Sequence, residues 1–278
     1  MTKNKISYLL AAILTFSFNY YMTSCKGNDD ANSKDLAYFN AYTVLKDTSV
    51  CLIPSDSASP SCRLHIKMTF SKNNILNCIN RELLTSGIIM PDYFSTDIGA
   101  VPPKEAINLF SKRYIEEYKR DYKSLYIADK ENPKSYNINY DVSTSVKQGR
   151  KGIVIYSSEA TYNSGALHDT KTLIARNIDV RTKKILKLKD IIVEGSENFI
   201  SELIVDALCK KYNKKDIGGL RDMSIFKGIS PYPSDNFMLE KDGIVFIYNS
   251  DEIATHDIGR IVLKIDYSDI NKYLKERV

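Results

Sequence analysis

Residues 136–162 read YNINYDVSTSVKQGRKGIVIYSSEATY. Two extended runs, about 136–147 and 152–162, flank Gln148-Gly149-Arg150, which predicts a β-hairpin turning at that glycine. Upstream, residues 36–47 and 63–70 also predict strands. In the second, Leu64, Ile66, Met68 and Phe70 alternate with Arg63, His65, Lys67 and Thr69, the period of a half-buried strand. Between these strands and the hairpin lie two helical stretches. One covers 73–85, with Ile75, Leu76, Ile79 and Leu83 on one face. The other opens at Pro102-Pro103, since proline is tolerated in a first helical turn, and runs to about Asp129. Its apolar face carries Ile107, Phe110, Tyr114, Ile115, Tyr118, Tyr122 and Leu125, while Lys112, Glu116, Lys119 and Lys123 make a solvated face. After the hairpin come a loop at Asn163 to His168, a strand near 171–180, a turn at Arg181 to Lys184, and an extended stretch through Leu186, Leu188 and Ile191. A helix over 197–212 turns Phe199, Ile200, Leu203, Ile204, Ala207 and Leu208 inward. Three short strands follow near 236–240, 244–249 and 258–266, then a closing helix over 269–276 with Ser268 as its cap. Helices and strands are segregated and no βαβ rhythm is visible, so the expected class is α+β with antiparallel sheets.

The chain begins differently. Lys3 and Lys5 precede an apolar run from Ile6 to Phe18, and a short polar stretch leads to Met22-Thr23-Ser24-Cys25. Basic, apolar and small-residue segments in this order make a secretory signal. A transmembrane anchor is the competing reading, but the run is shorter than the roughly 20 residues that span a bilayer. Small residues directly before a cysteine resemble the lipobox of bacterial lipoproteins, with Met22 where leucine is usual. The resemblance implies removal of residues 1–24, lipid on Cys25 and attachment to a membrane through it; plain secretion is the alternative. Residues 25–35 then form a flexible tether, because Lys26 to Lys34 (KGNDDANSK) holds nothing apolar larger than alanine to offset the entropy of packing. Asp29-Asp30 resembles the surface-export signal of Bacteroidetes lipoproteins, which implies an outer-membrane lipoprotein of the cell envelope, displayed as far as the surface.

Without residues 1–24 the chain keeps 254 residues, and its net charge falls from +5 to +3. That length supports one large domain or two small ones with real cores. No basic tract or aromatic-basic stripe marks a nucleic-acid partner. There are nineteen tyrosines and no tryptophan; most tyrosines recur at strand or helix spacing, which reads as packing. Cys51 and Cys62 flank LIPSDSASPS, and in an oxidising compartment they are expected to pair, with two free thiols as the alternative. A bridge closing so short a loop would contribute about 3 kcal/mol in the chain-entropy model. Cys78 and Cys209 lie on apolar helical stripes and are expected as buried free thiols.

The three histidines, His65, His168 and His256, show no metal-ligand spacing, and no nucleophile elbow, P-loop or dinucleotide fingerprint occurs. No metal, cofactor or catalytic residue is therefore expected. His65 sits on the polar side of its strand, where exposure or a hydrogen bond is the expectation. His168 lies near Asp169 in one predicted loop; His256 lies beside Asp257 in another that also holds Asp251 and Glu252. If these loops meet, Tyr162, Asn163, His168, Asp251, Glu252 and His256 form a binding site, with an acid–base pair or a metal site among them; surface loops with ordinary polar residues are the competing reading.

A family resemblance extends from residue 36 to the end. Asp242-Gly243-Ile244-Val245-Phe246, then Tyr248-Asn249, Glu252-Ile253-Ala254, Gly259 and Tyr267 resemble the closing signature of the C-terminal module of RsiV-type anti-sigma factors. Asn177-Ile178-Asp179, Thr182-Lys183, Leu186, Leu188 and Asp190-Ile191 resemble an upstream segment of the same module. In the N-terminal module Pro60-Ser61-Cys62 and Ile79-Asn80 resemble Bacteroidetes members, and the same pair of modules stands beside the catalytic domain in PdaC-type peptidoglycan deacetylases. The resemblance implies an N-terminal module over 36–165 and a C-terminal one over 166–278. Family members often carry Tyr-x-Gly-Gly-Ala-His at that junction. Here Tyr162-Asn163-Ser164-Gly165-Ala166-Leu167-His168 replaces one glycine and inserts one residue.

In the RsiV-type proteins this module binds lysozyme, which implies a protein-binding or wall-associated role. The slight positive charge of the mature chain does not suit a cationic partner. The expectation is a non-enzymatic envelope lipoprotein that binds or senses a protein or peptidoglycan ligand. The alternative is a wall-directed hydrolase using His168 or His256 with nearby carboxylates. Metabolic labelling with a palmitate analogue is expected to mark the protein and to miss its Cys25→Ala variant; labelling that persists in the variant overturns the anchor.

Overall fold

The computed structural model describes residues 33–94, 101–165 and 169–275, so the signal segment, Cys25 and His168 lie outside the described residues. Among the described residues the first element is a helix, α1 (Ser33–Phe39), followed by strand β1 (Ala41–Cys51). The strand expected from residue 36 thus begins five residues late. A distant contact explains the helix: the Asp35 carboxylate accepts from Gly152 N (2.8 Å) and Gln148 Nε2 (2.9 Å), tying α1 to the hairpin turn, while Phe39 is fully buried.

Strand β2 (Ser61–Ser71) pairs antiparallel with β1, from Ala41 opposite Ser71 to Cys51 opposite Ser61. A 3-10 turn (Asn74–Leu76) and helix α2 (Asn77–Leu84) follow, then α3 (Pro103–Ala128). The hairpin is β3 (Ile138–Gln148) and β4 (Ile153–Asn163), and β5 (Thr170–Asp179) and β6 (Lys184–Leu186) extend its sheet. Beyond these come α4 (Leu188–Ile191), α5 (Glu197–Tyr212), α6 (Ile217–Asp222), β7 (Phe237–Leu239), β8 (Gly243–Tyr248), β9 (Ile261–Asp266) and α7 (Tyr267–Ile270). The extended stretch expected through Leu188 and Ile191 is α4, and α6 has no counterpart in the sequence reading. The closing helix starts earlier than expected, with Asp266 rather than Ser268 at its cap. Among the described residues no helix is long and apolar enough to cross a membrane.

Among the described residues the strands form two sheets, one in the order β1-β2-β3-β4-β5-β6 and one in the order β7-β8-β9. The class is α+β, with one correction to the antiparallel expectation: β2 and β3 run parallel, Cys62 opposite Ile138. Parallel neighbours need a crossover that returns the chain to its starting end. Helix α3 supplies it: its 26 residues reach about 39 Å at helical rise. That matches the roughly 36 Å of an 11-residue strand.

The large sheet separates two apolar cores, and alternation along β4 assigns residues to each. Val154 and Tyr156, with Ile178 of β5, join the core that α2 and α3 cover; Ile153 and Ile155, with Ala175, join the core formed with α5 and the small sheet. A register slip of one residue would exchange the two sets, so burial on both faces fixes the pairing. β4 and β5 pair directly, Tyr162 opposite Thr170, so the division at residue 165 runs between neighbouring strands of one sheet.

Three asparagine amides join the sheets. β6 pairs only with residues 177–179 of β5, which leaves the edge at Leu173 and Ala175 without a strand. There Leu173 N donates to Asn249 Oδ1 (2.8 Å) and Ala175 N to Asn236 Oδ1 (2.8 Å), while Asn236 Nδ2 donates to Leu173 O (2.7 Å). In return Asn177 Nδ2 donates to Phe237 O (2.8 Å) and Leu239 N donates to Asn177 Oδ1 (2.7 Å) on β7. The hairpin turn docks at the same place: Arg150 N donates to Leu239 O at 3.0 Å, and a Cβ at Gly149 would stand 2.5 Å from that oxygen.

The bridge expected between Cys51 and Cys62 is not formed; both are free thiols. Cys62 stands opposite Val50 and Cys51 opposite Ser61, so strand alternation points the two side chains to opposite faces. Cys62 is fully buried, which pushes its thiol up to about 12, whereas Cys51 is exposed. Cys209 is buried as expected, but Cys78 is exposed, on the side of α2 away from Ile79 and Leu83. Ile75, Leu125 and Phe199, expected to face inward, are exposed, and Phe199 stacks on Tyr273.

Two outcomes follow from this packing. Asn177→Ala leaves two buried backbone groups of β7 without partners and should lower the unfolding free energy by about 2–3 kcal/mol in urea titration; a change within the noise would mean the amide is dispensable. Cys51 should react with a soluble alkylating reagent in the native protein, and Cys62 only after unfolding.

Candidate functional site

Helix α3 carries an aromatic residue at every fourth position, Phe110, Tyr114, Tyr118, Tyr122 and Tyr126, and this spacing lines them along one face. The face lies on the first surface of the large sheet, where two register rows oppose it. Tyr140, Tyr162 and Thr170 stand side by side on β3, β4 and β5; Val142, Ala160 and Thr172 form the next row. A cavity of about 460 Å³ opens between them, walled by Tyr114, Glu117, Tyr118, Asp121 and Tyr122 of α3 and floored by Ile138, Tyr140, Ala160, Tyr162, Thr170, Thr172 and Ile174. The segment from Gly87 through the cis Met90–Pro91 bond to Tyr93 closes one side. The small Ala160 side chain leaves the depression in the floor.

The rings hold one another. Tyr114 and Tyr140 stack with centroids 5.7 Å apart and planes 6° from parallel, Tyr162 meets Tyr140 edge-on at 6.4 Å, and Tyr118 leans on Tyr122 at 5.4 Å. Tyr140 Oη accepts from Met90 N (2.9 Å), which fixes the loop, and Tyr118 Oη donates to Tyr136 O (3.1 Å). Burial pushes the phenols of Tyr93, Tyr114, Tyr118 and Tyr122 up, and that of Tyr140 up to about 12. Each therefore stays a neutral hydroxyl at physiological pH. The carboxylates at the mouth are matched by arginines of the same helix: Arg113 Nε lies 3.3 Å from Glu117, and Arg120 Nε 2.6 Å from Asp121. Tyr93 donates to Glu117 and carries the Arg113 guanidinium over its ring at 4.4 Å.

Of the residues singled out in the sequence, Tyr162 lines this cavity. Asn163 ends β4 and shapes the turn instead: its Nδ2 donates to Asp169 (2.6 Å) and its Oδ1 accepts from Gly165 N (3.1 Å). Asp251, at a positive φ of 66°, holds His256 Nδ1 at 2.9 Å, and that hydrogen bond raises the histidine's pKa. Glu252 accepts from Tyr232 Oη (3.1 Å) and from Asn249 N (2.9 Å), buttressing one of the asparagines that join the sheets. The cavity walls include none of Asp251, Glu252 and His256, so the two groups are not brought together there. His65 contacts Asp47 at 3.3 Å on a solvated face. Among the described residues no group of three or more histidines, cysteines and acids is placed to hold a metal ion. At the level of sequence a tyrosine stripe at helical spacing reads as packing, so the cavity itself is not legible there. The available signal was tyrosine, not leucine or isoleucine, at consecutive core-facing turns.

No curated protein matches this chain. The solved structures that share the fold include two DUF3298-family proteins. A DUF3298-family protein from Bacteroides fragilis is 22% identical with a TM-score of 0.73, over 85% of this chain and 94% of its own. One from Pseudomonas aeruginosa is 16% identical with a TM-score of 0.54, over 85% of this chain and 95% of its own. Residues 189–268, which run from α4 into α7 and build most of the second core, match the family model described as "Protein of unknown function (DUF3298)", so the chain carries a DUF3298 domain.

Proposed function

We propose that this protein is a non-enzymatic lipoprotein of the cell envelope, held to the outer membrane through lipid on Cys25, that binds or senses a wall-associated ligand. The observation that carries the reading is the tyrosine cavity. Concave, largely apolar sites of about 300–1,000 Å³ with a few polar groups are the usual form of small-ligand sites, and this one, at about 460 Å³, falls within that range. Its phenols stay protonated and its carboxylates are paired, an arrangement that suits holding a ligand more than transferring protons. The division into a PdaC-like module over 36–165 and an RsiV-like module over 166–278 belongs to the same proposal. The hydrolase alternative uses His168 or His256 with nearby carboxylates; His168 lies outside the described residues, and the Asp251–His256 pair has side chains 62% and 52% exposed. An acid–base pair in open solvent lacks the water-excluded setting that strengthens such chemistry.

Ala160→Phe fills the floor of the cavity without removing a tyrosine. The mature protein, immobilised and presented with envelope extract, should retain a ligand saturably, and Ala160→Phe should lose it. Failure to retain anything saturably, or equal retention by the folded variant, overturns the proposal.

A further inference from the structure

We infer that the tyrosine cavity is a saccharide subsite that takes a neutral sugar ring; this rests on the cavity being the ligand site. Three observations select the chemistry. The first is charge. Each carboxylate at the mouth is paired with an arginine of its own helix, Glu117 with Arg113 and Asp121 with Arg120. The mouth therefore presents no net charge to attract an anion or a cation.

The second is the set of hydroxyl groups. Tyr114 is only 9% exposed, and among the described residues its hydroxyl makes no hydrogen bond, although its ring packs against Phe110 and Tyr140. Tyr140 Oη accepts from Met90 N, and no protein acceptor among the described residues takes its proton. Thr172 adds a hydroxyl from the neighbouring row of the floor. A purely hydrocarbon ligand would seal these groups away from water without partners, an arrangement that costs affinity. A ligand with its own hydroxyls satisfies them.

The third is ring geometry. The tyrosine faces are electron-rich, so they favour the weakly positive C–H groups that a pyranose presents on its faces. A pyranose has such C–H faces and hydroxyls around its rim, and the cavity offers aromatic rings with polar groups between them. A sugar thus meets all three conditions together.

The test uses the mature protein and three neutral probes: N,N′,N″-triacetylchitotriose, cellotriose and maltotriose. Tyrosine fluorescence, unobscured because the chain has no tryptophan, and isothermal calorimetry both report binding. At least one probe should bind saturably, with an affinity that does not change from low to high salt. Tyr114→Phe, which removes only the hydroxyl, should weaken it about tenfold, and Ala160→Phe should abolish it, with both variants keeping the native circular dichroism spectrum. Saturable binding by none of the three overturns the saccharide assignment, as does binding that both variants leave intact. If envelope extract still yields a ligand that Ala160→Phe loses, the ligand-binding proposal stands while this assignment falls. Retention of an envelope protein with no saccharide binding is that second case.

Discussion

Ahead of its pairing with β6, the edge of strand β5 at Leu173 and Ala175 has no strand beside it among the described residues, and the join between the two sheets depends on how that edge is closed. Backbone N–H and C=O groups at such an edge need partners when buried. Here Asn236 and Asn249 supply them at Leu173 and Ala175, and Asn177 does the same for Phe237 and Leu239 of β7. A carboxamide has one acceptor and two donor protons, so a single side chain can stand in for a backbone peptide group. Aspartate would lose the donor, and leucine would lose both. The reciprocal arrangement, with amides beside β7 and β8 on the backbone of β5 and an amide of β5 on the backbone of β7, fixes the two sheets' relative position without a continuous ladder. The second core closes around that join.

The candidate site inherits this constraint. Alternation along β5 sends Leu173 and Ala175 toward the second core and Thr172 and Ile174 toward the cavity. Anchoring the edge at Leu173 therefore also sets the floor on the other face. From above, α3 covers β1 and β2 but leaves the ends of β4 and β5 open, and the cavity is the space that remains. The tyrosines serve both sides of this boundary, since Tyr114 and Tyr118 are buried in the first core while their outer edges line the opening.

Local periodicity carried much of this into the sequence. The bounds of α5 are those expected, and the hairpin, α3 and the last strands fall within a few residues, because alternation and 3.6-residue spacing are local properties. The residues that resembled the family signature, Asn177 and Asn249 among them, read as structural. Which backbone groups they bind could not be read, since each partner lies 60 residues or more away. The same distance explains the first element. Residues 36–39 look extended alone, and it is Asp35 reaching Gly152 that accompanies a helix there. The cysteine pairing failed for a different reason: spacing along the chain says how short a loop is, not which face of a strand a thiol occupies.

The sequence by itself determined the α+β class, the order of most elements and the stripe of tyrosines along α3. These follow from side-chain periods that need no knowledge of the rest of the chain. Only the tertiary structure decided that β2 and β3 run parallel, that Cys51 and Cys62 point apart, and that the tyrosine stripe faces a second set of tyrosines across an opening. Each of these is a relation between distant segments, set by crossover direction, strand register and the incomplete cover of one helix over a six-stranded sheet. A cavity is such a relation. It is bounded by Ala160 of the sheet and by Tyr114 and Tyr122 of the helix together, and no residue carries that fact alone.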